Sequence, residues 1–278
     1  MPIESKIQSV PFIFRKEDVS LYPADNYPSA EYWFSQNIKE DDIIGERVYL
    51  PIGFTQFYKN VCDYGNNKLG IKILQDFLDK LDTSKKYFCI CQYDDGILND
   101  ISHLDIKVFS MAGGRKDYGL PLIAQPHRLK FNNKRDIFCS FVGRITNPIR
   151  QEIVNAYIGK QGYFVSTKAH SLPDYCEILS RSIFCLCCRG YGANSFRIQE
   201  SLEYGAIPVW ISDEYVPIHN LDFNIFGVVI PFELKLQIDD ILKSFSTESI
   251  IKMQNNGRYV LENYFTFEAN KKLILENI

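Results

Sequence analysis

With 278 residues, 46% of them hydrophobic and 14% aromatic, the chain has material for one large or two moderate packed cores, which excludes a disordered protein. Its 31 basic and 34 acidic residues leave a net charge of −3, which excludes a general electrostatic attraction to nucleic acid, so any phosphate contact has to be local. The apolar patch in the opening MPIESKIQSVPFIFRKED is too short for a signal-peptide core or a membrane span, so a soluble, cytoplasmic chain is expected.

Residues 1–45 carry little periodicity and are punctuated by Pro23, Asn26, Pro28 and the pair Asp41 and Asp42. Residues 47–51 read as a short strand, 69–81 as an amphipathic helix and 87–92 as a second strand. That strand runs into Tyr93-Asp94-Asp95-Gly96. Acids just past the carboxyl end of a buried strand stand at the edge where ligands of open α/β sheets collect, and the same four residues read equally well as an Asp-Gly turn. Residues 106–111 make another strand, followed by the turn-rich GGRKDYGLP. The polar, proline-bearing segment 125–134 marks the boundary between domains. Beyond it, 137–142 is a strand closed by Gly143-Arg144, and a helix over 148–158 contains Arg150. A brief strand at Phe164 and Val165 and a helix over 172–180 follow.

Residues 182–217 contain an apolar run, a loop with Gly190 and Gly192, a helix signal opening near Asn194 and Ser195, and a second apolar run over 207–211. This is a βαβ unit. The loop and helix start direct free N–H groups at a bound guest, and a phosphate is the natural one. Five of the eight cysteines (Cys89, Cys91, Cys185, Cys187 and Cys188) sit within apolar runs, which reads as reduced, buried thiols in strands rather than zinc ligands or disulfides. A strand over 227–230, helices over 238–245 and 249–259, and an amphipathic tail helix over 258–278 complete the chain. Strand and helix alternate throughout, which predicts parallel sheets. Two doubly wound, Rossmann-like α/β domains facing a cleft fit the length, with one large α/β domain as the alternative. The expected division is 1–128, 129–257 and a C-terminal helix, 258–278, packing back on the first domain.

Ser195, Arg197, Glu200, Gly205, Ile207, Pro208, Val209, Asp213 and Tyr215 follow the order S-x-R-x-x-E-A-L, G-C-I-P-V, D-x-Y-x-x-P. Phe141, Gly143 and Arg150 match F-x-G-x-x-x-x-x-x-R, while Lys116, Asp117 and Pro121 match K-D-V-x-I-P. Tyr93 to Gly96 falls where His-Asp-x-Gly is common. On these residues the chain resembles the exostosin-like glycosyltransferases, glycosyltransferase family 47, over most of residues 47–266. It departs from the pattern at Tyr93 (for His), Ser201 and Ala206 (for Ala and Cys) and Gln199 (for an aromatic). The compact form without a membrane anchor is similar to exostosin-like proteins of large algal viruses, which implies xylose transfer to a capsid glycan.

The resemblance implies a GT-B type fold and an inverting glycosyltransferase without an obligatory metal or other cofactor. Its partners would be a UDP-sugar, UDP-xylose first, and a glycan or glycoprotein acceptor, with no nucleic acid and no membrane span. The second domain would bind the donor through Arg144, Arg150, Gly190, Tyr191, Asn194, Ser195, Arg197 and Glu200. Arg197 would clamp the diphosphate and Glu200 would accept the ribose hydroxyls. Tyr191 reads as readily as a packing residue. Inversion needs a general base, for which Asp94 and Asp95 lead, ahead of Asp117 and His103. A catalytically inactive, glycan-binding partner subunit is the alternative, motivated by Tyr93. A dehydrogenase ranks last because no G-x-G-x-x-G follows an early strand.

Overall fold

The structure, a computed structural model, describes residues 5–15, 28–114 and 118–278. It divides into two compact units, one of Met1–Pro121 with Phe267–Ile278 and one of Leu122–Thr266. The predicted Lys116 and Asp117 lie outside the described residues.

The first unit contains α1 (Ala30–Asn37), β1 (Arg47–Tyr49), α2 (Phe54–Asn60), α3 (Lys68–Leu78), β2 (Lys86–Cys91), β3 (Asp105–Ser110) and β4 (Tyr118–Gly119). Its sheet runs β1-β2-β3-β4, with every pairing parallel. Alternation along β2 sends Tyr87, Cys89 and Cys91 to the face covered by Phe57 and Tyr58 of α2 and Leu74 and Leu78 of α3. On the other face Phe88 stacks on Tyr49 at 5.0 Å. α3 starts where the Asn67 side chain accepts the N–H groups of Leu69 and Gly70, and this cap defines the helix predicted from its three-four spacing.

The second unit contains β5 (Ile137–Val142), α4 (Pro148–Tyr157), β6 (Tyr163–Ser166), α5 (Leu172–Arg181), β7 (Ser182–Cys188), α6 (Arg197–Glu203), β8 (Ile207–Ser212), β9 (Val228–Pro231), α7 (Ile238–Lys243) and α8 (Thr247–Tyr264). Its all-parallel sheet runs β6-β5-β7-β8-β9. Phe184, Leu186 and Cys188 of β7 face α4 and α7, while Cys185 and Cys187 face α5, α6 and α8, so helices cover both faces. The doubly wound α/β class predicted from the alternation is found here, and two parallel-sheet α/β units are the components of a GT-B fold. All eight cysteines are buried thiols, and none of them forms a disulfide among the described residues. No helix among the described residues is long and apolar enough to cross a membrane.

Two boundaries differ from those expected. The chain enters the second unit at Leu122, not after residue 128, because the backbone at Ala124, His127 and Arg128 is hydrogen-bonded to side chains of α6. The tail is also not one helix from 258. α8 runs to Tyr264 and a separate α9 spans Phe267–Leu275. Phe265 is buried in the second unit's core, whereas Phe267, two residues on, stacks on Trp33 of the first unit at 5.0 Å, so the two aromatics pack in different units.

Candidate functional site

In the second sheet the strand order reverses between β5 and β7, and the carboxyl edge of such a switch point is where open α/β sheets bind ligands. β5 is followed there by Gly143 and β7 by Arg189-Gly190. Arg197, the first residue of α6, reaches across this edge. Its Nε donates to the Val142 carbonyl at 2.8 Å and its guanidinium lies over the Phe141 ring, 5.3 Å from the centroid. Gly143 leaves the space it needs, since a Cβ there would stand 2.0 Å from Arg197 Nη2. Burial disfavours the charged guanidinium, but Tyr175 and Glu200 outweigh it and raise its pKa, so the group stays cationic. Among the described residues Arg197 makes no ion pair, so its outer N–H groups remain for an anion.

The helix begins at Arg197 rather than near Asn194, with Phe196, whose side chain supplies no capping hydrogen bond, at the N-cap. Asn194 and Ser195 belong to the preceding loop. Asn194 Oδ1 accepts the Ser195 N–H at 2.8 Å and Ser195 Oγ accepts the Arg197 N–H at 3.3 Å. From below, the buried Trp210 fixes that loop by donating from Nε1 to the Ala193 carbonyl at 3.0 Å. Glu200, one turn after Arg197, accepts the Tyr175 hydroxyl at 2.6 Å, and its other oxygen lies 3.7 Å from His127 Nε2. Burial raises the Glu200 pKa, yet His127, Arg197 and Tyr175 together hold it below the ordinary carboxylate range. A cation and a carboxylate one helical turn apart thus stand beside the switch point.

The other predicted residues divide. Arg150 is only 7% exposed, and its guanidinium donates to the carbonyls of Arg189 (2.8 Å), Arg144 (3.1 Å) and Cys188 (3.2 Å). It therefore ties the ends of β5 and β7 together from beneath rather than presenting a free cation; burial, with Arg197 nearby, lowers its pKa to about 10. Gly190 is buried against Arg150 Nη2. Arg144 is exposed beside Gly143, and Tyr191 is 70% exposed. An ion pair between Arg189 and Asp213 joins the ends of β7 and β8, and Arg189 also donates to the Tyr191 carbonyl at 3.0 Å. Sequence reasoning did not single out Arg189, although its position directly after β7 is the available signal.

In the first unit, Asp94 and Asp95 form a turn at the carboxyl end of β2, closed by the Gly96 N–H donating to the Tyr93 carbonyl at 3.0 Å. Asp94 is half-buried and Asp95 exposed. Tyr93 is 5% exposed and packs edge-on against Tyr58, with ring centroids 5.0 Å apart. His103 stands just before β3, at the opposite, amino edge, with Nε2 3.8 Å from Asp79 Oδ1. That separates it from the Asp94 turn. Glu31 went unnoticed in the sequence. It is 2% exposed, and its carboxylate accepts the Thr55 N–H (2.9 Å), the Thr55 hydroxyl (3.0 Å) and the Gln92 N–H (2.7 Å), joining α1 and α2 to the segment that leads into the acidic turn. Among the described residues no group of three His, Cys, Asp or Glu is placed to hold a metal ion.

Comparison with known proteins adds an ancestry to this geometry. The exostosin GT47 domain matches residues 106–245, half of the chain. The chain is 31% identical over 144 residues to an Arabidopsis thaliana protein described as a probable glycosyltransferase, covering 50% of the chain and 27% of that protein. It is 37% identical over 84 residues to a probable glucuronosyltransferase of Oryza sativa subsp. japonica, covering 30% of the chain and 20% of that protein. The chain therefore spans only about a quarter of the length of these relatives. Among solved structures it is similar to TarM with a TM-score of 0.46 and 13% identity, over 90% of this chain and 58% of that one.

Proposed function

The chain belongs to the exostosin GT47 family, and from that membership we propose that it is a glycosyltransferase whose donor site is the carboxyl edge of the second sheet. The observation that carries the reading is the Arg197 guanidinium, kept cationic at the β5–β7 switch point with no ion pair among the described residues and a carboxylate one turn away. A guanidinium holds two oxygens of a diphosphate, and Glu200 has lone pairs left for ribose hydroxyls. Arg150 keeps the two strand ends in register beneath the ligand.

We take the reaction as inverting and independent of a metal. The acceptor hydroxyl oxygen attacks the anomeric carbon, and Asp94 takes the hydroxyl proton. The bond from that carbon to the diphosphate oxygen breaks, and the electron pair leaves on UDP, whose developing charge Arg197 neutralises. UDP-xylose is the first donor to try. UDP-glucuronate stands beside it because the rice relative is named for glucuronosyl transfer.

The test is to incubate the purified chain with UDP-xylose, UDP-glucuronate, UDP-galactose and UDP-arabinose, with and without oligosaccharide acceptors, and to follow UDP release. One donor should release UDP faster when acceptor is present, and at a hundred times its dissociation constant it should add about 2.7 kcal/mol to stability in a thermal-shift assay. The absence of both UDP release and thermal shift with every donor would overturn the reading. The fit at Gly143 gives a second expectation. Gly143→Ala puts a methyl group where Arg197 Nη2 lies, and the guanidinium, as the far end of a flexible side chain, moves aside. UDP affinity should fall about tenfold, the loss of about one charge-assisted hydrogen bond, with the fold retained by circular dichroism.

A further inference from the structure

The segment entering the second unit is fastened along α6. Gln199 Oε1 accepts the Ala124 N–H at 2.7 Å and Gln199 Nε2 donates to the Ala124 carbonyl at 3.1 Å. One turn on, the Glu203 carboxylate accepts the N–H groups of His127 (3.1 Å) and Arg128 (2.7 Å). These bonds carry the His127 ring to the Glu200 carboxylate, with Nε2 at 3.7 Å, and edge-on to Tyr175 at 6.3 Å. His127 Nε2 is buried and has no partner at hydrogen-bond distance among the described residues. Glu200 stands three residues after Arg197, a spacing at which opposite charges on a helix pair. Here the carboxylate faces Tyr175 and His127 instead.

We propose that His127 is a positioning residue of the donor site: its imidazolium holds the Glu200 carboxylate away from Arg197, which leaves the guanidinium free for a diphosphate. The inference rests on the reading of Arg197 as the diphosphate contact. The titratable groups facing His127 are Glu200 and Glu203 of α6 and Tyr175 of α5, and Glu200 in turn faces Arg197. Glu200 raises the His127 pKa above the ordinary histidine value against the opposing effect of burial. When His127 loses its proton, Glu200 is released to pair with Arg197, so diphosphate affinity falls as pH rises through the His127 midpoint. Linkage requires the converse, that a bound diphosphate raises that midpoint.

The experiment is an NMR titration of the four histidines with and without saturating UDP, with the His127 signal assigned by its loss in His127→Gln. UDP should raise the His127 midpoint by about one unit, equivalent to about a tenfold difference in affinity between the two protonation states. An unmoved midpoint overturns the positioning role. Calorimetry supplies a second readout. The ratio of wild-type to His127→Gln affinity for UDP should be about tenfold near pH 5.5 and close to one near pH 9, and the ligand's own phosphate titration near pH 6 cancels in that ratio. A ratio independent of pH also overturns the role. If Arg197→Ala binds UDP as tightly as wild type, the donor-site reading itself fails; if Arg197→Ala loses UDP while the His127 midpoint stays put, only the positioning role fails.

Discussion

Asp94→Asn should lower turnover about a thousandfold while UDP binds as tightly as before. A positioned general base contributes about 10²- to 10⁴-fold, and the amide cannot take the acceptor proton. The substitution is nearly isosteric in a turn closed by backbone, Gly96 N–H to Tyr93 carbonyl, so the turn should persist. The proposed donor site is in the other unit and should be untouched, so the loss should appear in kcat, with UDP affinity by calorimetry unchanged. Turnover within twofold of wild type would remove Asp94 as the base. Asp95, exposed and on the same turn, would then be the residue to replace.

Arg197→Ala should weaken UDP binding by about 10- to 150-fold, the equivalent of about 1.5–3 kcal/mol for hydrogen bonds to a charged group. Arg197→Lys should recover only part of this. Lysine keeps the charge but lacks the planar fork, and it cannot donate to the Val142 carbonyl and a diphosphate in the same geometry. The arginine also bridges α6 to the end of β5, so the alanine variant should lose some thermal stability. The lysine variant separates the two effects: affinity that follows stability across both variants, rather than charge, would count against a direct phosphate contact.

The second unit was largely legible because its signals are local. The apolar run ending at Cys188, the glycine-bearing loop and the helix signal after it lie within a few residues of the bonds they specify, and Arg197 and Glu200 are found one turn apart beside the switch point. The sequence places the start of α6 near Asn194 and Ser195 because both resemble a cap; Asn194 Oδ1 takes the Ser195 N–H inside the loop, while Ser195 Oγ takes the N–H of Arg197, the first helical residue. Arg150 matched the family pattern, but no spacing indicates that three backbone carbonyls take its guanidinium. The first unit was harder to read. α1 is short, and its anchors are distant in sequence: Trp33 stacks on Phe267, and Glu31 binds Thr55 and Gln92. The same non-local pairing breaks the predicted tail helix at Phe265, since no periodicity indicates that Phe265 and Phe267 pack in different units. His103 stands behind Asp94 among the base candidates in the sequence, and the connection from β2 to β3, which crosses the sheet, leaves the two at opposite edges.

A crystal structure of the chain with UDP tests the donor site most directly. The diphosphate should lie at the carboxyl edge between β5 and β7, with its oxygens within hydrogen-bond distance of the Arg197 guanidinium and the ribose hydroxyls on the Glu200 carboxylate. A diphosphate bound at any other edge, with Arg197 still bonded only to the Val142 carbonyl, would contradict it.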